Sequence, residues 1–292
     1  MNKNEFLTIF FDLIYHKKKN IFYPEDYYLH HYTDLEGLIG IIKNKCIYST
    51  DSRFLNDLSE QTFSQNFILE YIEINYARKN RNKLTESILK ILSDWKMPKT
   101  YITSFSKDSD SLSMWRGYGK EKIAFSLGFG KYFLNQTINT FAHLVNVYYK
   151  KNDQERLLKW IFDTIYNYYN INIEIFEDEE NLKIFCSDIQ NILVFVLPML
   201  KHPKFIEEQE ARLIIRPMED ININFKSSKR GLIQFVETSL NSDIFPFLIE
   251  EIKIGPTSDR EYLKDSVYEF LIQCGSSIYD KRIKNSEIPY RE

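Results

Sequence analysis

The chain is poor in the residues that interrupt or cross-link a fold. Glycine and proline number only 9 and 8 in 292 residues, so no flexible tether divides it. Cys46, Cys186 and Cys274 are its 3 cysteines. They are odd in number and far apart, which excludes a disulfide framework and a Cys-x-x-Cys metal knuckle. A reducing cytoplasm suits such a chain. Basic surplus is also missing. The net charge is -3 with a pI near 6.0, which announces no nucleic-acid binder, although a local basic patch stays open. No apolar run reaches the ~20 residues that span a bilayer. The longest, Ile189 to Leu200, is interrupted by Gln190, Asn191 and Pro198. The N-terminal stretch has its apolar run before its basic cluster, the reverse of a signal peptide, and reads as an amphipathic helix. No stretch matches a P-loop, a Rossmann glycine fingerprint, a His-Glu-x-x-His zinc site or a nucleophile elbow. No metal is expected.

What is present is a globular balance with many rings. Hydrophobic residues make up 43% and charged residues 27%, and 22 Phe and 20 Tyr predict a ring-rich core. Helical and strand patterns alternate. Leu35, Leu38, Ile39 and Ile42 mark one helical face, and Thr33-Asp-Leu-Glu36 reads as the capping box that starts it. Asp110 reads as the cap of a short helix through Arg116. Strands are predicted over Tyr28–Tyr32, Cys46–Thr50, Tyr101–Ser106, Lys122–Leu127, Ala142–Tyr149 and several late segments. A helix is predicted over Asp188–Leu200. The fold class is α+β, with helices inserted around 59–97 and 152–200 in a single domain of residues 1–292.

Four stretches carry candidate chemistry. His31 and Tyr32 precede a helix N-terminus, whose amides favour anions. A histidine there can bond a ribose hydroxyl and a tyrosine can stack on a base, but on chemistry alone a core tyrosine and a satisfied strand histidine are the better reading. Arg53, with the turn Asn56-Asp57, can pair with a diphosphate; an ordinary loop is again favoured. Ser104 and Ser106 share a strand face, and Trp115 and Tyr118 flank an arginine, a set suited to a flat charged ring or to plugging the core. Glu208, Glu210 and Arg212 share a face at a strand entry. Two close carboxylates can split their pKa values or orient a ligand hydroxyl; an exposed Glu–Arg pair is about as good a reading.

Taken in order, these stretches resemble a bacterial family known only as domain-of-unknown-function family 2971. The resemblance rests on His31-Tyr32-Thr33, Asn56-Asp57, Ser104-Phe105-Ser106 with Met114-Trp115 and Tyr118, Glu208 to Arg212, Ile252 to Pro256, and Ser286 to Arg291. Leu58 stands where that pattern often has proline. The order His-Tyr, Ser-x-Ser, Glu-x-Glu is more distantly similar to the ADP-ribosyltransferase fold. That similarity implies a split, mostly antiparallel sheet and NAD as co-substrate. It implies His31 on the adenosine-side ribose, with Tyr32 and the Thr33 helix start supporting the pocket, and Ser104, Ser106, Trp115 and Tyr118 around the nicotinamide. Glu210 becomes the catalytic carboxylate, Glu208 a group that positions the acceptor, and Arg212 their support. The role implied is a bacterial toxin or phage-defence effector that modifies RNA, DNA or protein, with a regulatory partner such as an antitoxin and no membrane. An NAD glycohydrolase and an inactive nucleotide- or protein-binding module are the alternatives.

Overall fold

The structure, a computed structural model, describes residues 4–17, 28–54, 59–79, 81–96, 99–119, 123–130, 133, 142–216, 221–228, 231–240, 249–275 and 282–289. It is a mixed α+β chain in two compact units. One comprises Met1–Tyr23, Leu55–Lys99 and Asn146–Ile206, and the other Pro24–Phe54, Thr100–Val145 and Glu207–Glu292.

The first unit is helical. Its main helices are α1 (Glu5–Lys17), α3 (Ser59–Ile72), α4 (Lys83–Ser93), α6 (Lys151–Ile171) and α7 (Glu179–Val196). Phe6, Phe10 and Ile14 recur every four residues and are buried, which is why α1 is a helix with one apolar face. Its first turn is held by Asp188 of α7, whose carboxylate accepts from the amides of Phe6 and Leu7 at 3.1 and 3.3 Å. Helix α7 starts well before Asp188, because Asp178 caps it through the amides of Glu180 and Asn181. With the turn that follows, Glu179–Met199 is long and apolar enough to cross a membrane by length and composition. The helix passes on its average hydropathy, while its longest apolar run is still interrupted by Gln190, Asn191 and Pro198. Since 61% of the window is buried in the fold, it packs as a core helix does.

The second unit is built on a ten-stranded sheet in the order β10-β9-β4-β1-β3-β2-β8-β7, with β6 pairing β3 and β5. The strands are β1 (Tyr28–Asp34), β2 (Cys46–Asp51), β3 (Tyr101–Ser106), β4 (Ala124–Gly130), β5 (Ala142–Asn146), β6 (Glu210–Ile215), β7 (Asn224–Ser228), β8 (Gly231–Ser239), β9 (Ile249–Ile254) and β10 (Ile283–Asn285). The ladders flanking β1, β3 and β8 are antiparallel, and β10 joins β9 in parallel. One sheet face carries Leu29, Phe105, Leu127, Phe129, Ala211 and Leu213. It forms the core with Leu38 and Ile42 of α2 (Leu35–Asn44) and Val267 and Leu271 of α8 (Arg260–Gln273). On the other face, α5 (Leu112–Tyr118) lays Met114 and Trp115 against Tyr32.

The sheet forks at β3. Along one edge, Tyr101 and Ile102 pair with β2, while Ser106 pairs with β1. Residues 103–105 therefore face the gap where β1 and β2 part. Along the opposite edge β6 pairs with all of β3.

Two helix starts differ from expectation. The cap of α2 is Asp34, whose carboxylate accepts from Gly37 N at 2.8 Å. Thr33 is still in the strand, because β1 stays paired with β4 as far as Asp34 opposite Ala124. Ser111, not Asp110, precedes α5. Asp110 binds other partners instead, described below.

Candidate functional site

The register brings polar residues into rows across the strands. His30 of β1 lies opposite Ser106 of β3, and Ser106 lies opposite Glu210 of β6. In the other direction His30 lies opposite Gly128, and Gly128 opposite Glu251. Directly paired residues share a face, so His30, Ser106 and Glu210 form one row on the face away from the apolar core. Ser104 opposite Arg212 begins the next.

Glu210 and Arg212 form a buried ion pair, 7% and 3% exposed. The Nε and a terminal nitrogen of Arg212 both reach Oε2 of Glu210, at 2.6 and 2.5 Å. Glu208 does not share the strand. It ends a short 3-10 turn, and Gln209 then adopts φ 44° before β6 begins. Ser106 fixes this entry, since its hydroxyl donates to the Glu208 carbonyl at 2.8 Å and accepts from Asp108 N at 3.1 Å. The Lys107 amide donates to the Gln209 carbonyl at 3.0 Å. Ser106 thus positions the two glutamates. Tyr118 keeps 38% of its surface exposed, but its hydroxyl end is the packed part. Burial first, then Glu210 and Glu208, push that hydroxyl up to about 12.

His31 sits in the fork. Its Nδ1 is 3.0 Å from the Ser104 carbonyl, which makes Nδ1 the protonated nitrogen and leaves Nε2 as an acceptor. Its ring meets Phe105 edge-on at 6.0 Å. Burial lowers its pKa, the Ser104 bond opposes this, and the charge of Lys226 adds to the lowering. His31 and Ser104 are therefore brought together, but strand alternation gives the Glu210 row to His30. The sequence reading passed over His30. It is 6% exposed, its Nδ1 has no hydrogen-bond partner among the described residues, and burial lowers its pKa to about 4. The ring packs closely over Gly128: a Cβ there would lie 3.2 Å from His30 Cε1 and 3.1 Å from Glu251 Cβ. Period-two alternation from Tyr32 was the available signal.

Tyr32 and Trp115 pack against each other. The Tyr32 hydroxyl donates to the Asp108 carbonyl and accepts from Ser111 N, both at 2.9 Å. Its ring lies 4.7 Å from Trp115, edge-on, and 6.2 Å from Tyr118. The Trp115 indole donates to Asp110 at 2.8 Å. Gly255 is needed beside it, as a Cβ would stand 3.0 Å from its ring and 2.9 Å from the Ala124 carbonyl. Asp110 also accepts from the Ser286 hydroxyl at 2.5 Å and the Glu287 amide at 2.8 Å. Burial raises its pKa, but the Ser286, Glu287 and Trp115 bonds outweigh that and hold it below the usual value. The His-Tyr, Met-Trp, Gly-Pro and terminal Ser motifs thus meet in one knot.

The remaining candidates lie elsewhere. Arg53 follows β2 at the Tyr101 end of β3 and clamps Asp51, with Nε at 3.0 and 3.2 Å from its two oxygens and a terminal nitrogen at 2.5 Å. Its charge is matched by Asp51 in the fold, and its side chain stays half-exposed. Thr33 Oγ1 packs over Gly37, where a Cβ would lie 1.9 Å away. At the α2 start the Asp34 carboxylate accepts from the Gly37 amide. Asn56, Asp57 and Arg291 lie outside the described residues. Among the described residues no group of three or more His, Cys, Asp or Glu side chains is placed to hold a metal.

With this geometry in hand, the chain compares with known proteins in one place. A family model described as "Protein of unknown function (DUF2971)" matches residues 114–213. The matched segment runs from Met114 of α5 to Leu213 of β6, so it contains Trp115, Tyr118 and the Glu-x-Glu-x-Arg stretch. It stops short of the His-Tyr strand and of the late Gly-Pro motif. No curated protein and no solved structure matches the chain.

Proposed function

We propose that the sheet unit is an NAD-dependent ADP-ribosyltransferase-like enzyme with Glu210 as its central carboxylate. The observation that carries the reading is the row His30–Ser106–Glu210, beside the fork in which His31 and Ser104 meet. Loss of nicotinamide develops positive charge on the ribose carbon, and a fixed carboxylate beside that carbon lowers the barrier. Arg212 and Ser106 supply the fixing. Arg212 grips Glu210, and Ser106 pins the turn before it. The donor set suits a nucleotide's sugar, with a neutral imidazole, serine hydroxyls and a carboxylate on neighbouring strands. Glu208, two residues before the strand, is suited to orient an acceptor. A bacterial toxin or defence role, with a macromolecular acceptor and a regulatory partner, follows from the same reading.

One observation favours a second reading. Glu210 is buried and closed onto Arg212, the geometry of a structural ion pair, which suits a binding module without turnover. Incubation with labelled NAD separates the two. Label on a macromolecule supports transfer, free ADP-ribose supports hydrolysis by the same site, and binding without either product supports the module.

A further inference from the structure

We propose that the fork between β1 and β2 holds a phosphate-bearing ligand, with Lys226 as the group that binds its anionic end. Lys226 is on the edge strand β7, opposite Ile233 of β8. Its side chain reaches back across β8 to β2. There Nζ donates to Thr50 Oγ1 at 3.2 Å and lies 5.6 Å from the centroids of both Tyr48 and Phe235. Those two rings lie 4.2 Å apart. The ladders carry the face through: Ile233 and Phe235 share it on β8, Phe235 faces Thr50, Thr50 faces Ile102, and Ser104 shares the face with Ile102. Lys226 is therefore on the face of Ser104, Arg212 and Glu210, on the β2 side of the fork.

What sets Lys226 apart is its charge. Arg53 is matched by Asp51, Arg212 by Glu210, Lys253 by Asp110, and Lys284 by Glu251. Lys226 has three N–H donors; among the described residues, one meets a neutral hydroxyl and no carboxylate pairs with it. A half-buried ammonium without a counter-charge is costly, and burial does lower its pKa. Its field also reaches His31 across the fork. An anion seated there would offset the cost and serve both groups. The two rings add an apolar, π-rich floor that holds the lysine stem. The anion site stands on this geometry alone; calling its ligand a nucleotide rests on the proposed NAD reading.

The test is calorimetric titration of ADP, adenosine and inorganic pyrophosphate into the full chain, its Lys226→Met variant and its Lys226→Arg variant. Methionine keeps the stem over the rings and arginine keeps the charge, and matching thermal transitions show that both are folded. ADP and pyrophosphate should bind the wild type about 10-fold or more tighter than Lys226→Met, as expected for a lost charge-assisted contact. Adenosine should bind both alike, and Lys226→Arg should recover most of the loss. Equal ADP binding in Lys226→Met, or no binding of either anion to the wild type, overturns the proposal. Lys226-dependent pyrophosphate binding without NAD turnover would leave the anion site standing and remove the NAD reading. NAD turnover with an unchanged KM in Lys226→Met would do the reverse.

Discussion

His30 and Glu210 face the same residue from opposite sides: each is the direct cross-strand partner of Ser106. Two strand spacings put their backbones roughly 10 Å apart, close enough for one sugar-sized group to touch both side chains. The relationship depends on β3 lying between β1 and β6, and on His30, not His31, having the parity of Tyr32.

His31 has a different task, which mutation separates from ligand binding. Its imidazole donates to the Ser104 carbonyl where β1 and β2 part. His31→Ala leaves that carbonyl without the bond and should lower stability by about 1–3 kcal/mol, measured by urea denaturation. His31→Gln, which can still donate, should recover part of it.

Acid should destabilise the protein through His30. Its pKa is lowered from 6.5 to about 4 in the fold. Between those values the unfolded chain binds more protons than the folded one, so stability falls as pH drops from 6.5 toward 4. The full shift corresponds to roughly 3 kcal/mol. His31 moves in the same direction. Denaturation between pH 4 and 7.5 should show a shallower loss in His30→Asn than in the wild type. An identical slope would mean that His30 is not buried neutral.

The cap of α2 gives a third test. Asp34→Ala removes the acceptor of Gly37 N and should cost about 1 kcal/mol. Thr33→Val, which keeps the branched shape but removes Oγ1, should cost less. A larger effect at Thr33 would restore the capping box read from Thr33 and Glu36.

Much of the fold was legible where local pattern and pairing agree. Tyr101–Ser106, Ile249–Ile254 and Glu5–Lys17 have the bounds that their periodicity predicts. Pattern failed where tertiary pairing decided. Strand β4 runs on through Gly128 and Gly130, residues that locally signal a turn. Both sit under close neighbours in the sheet, His30 over residue 128 and the Glu250 side chain over residue 130. Thr33 has capping-box spacing, but its pairing with Phe125 keeps it in the strand. Helix α7 begins in a polar stretch, where Asp178 and the acidic first turn mark the start but no apolar periodicity does. In the site, Glu210 and Arg212 were legible because i and i+2 share a strand face. His30 and Lys226 were not, because their importance comes from which strands lie beside them.

The central claim is that Glu210 stabilises charge that develops only during reaction. Glu210→Gln keeps the side-chain volume and a hydrogen-bonding group for Arg212 while removing the charge. Its thermal transition should be compared first, because the ion pair it alters is buried. NAD affinity should then hardly change, and release of nicotinamide with the acceptor supplied should fall at least ~100-fold. Glu208→Gln should depress transfer to the acceptor more than NAD hydrolysis. Folded Glu210→Gln that releases nicotinamide at the wild-type rate would contradict the account.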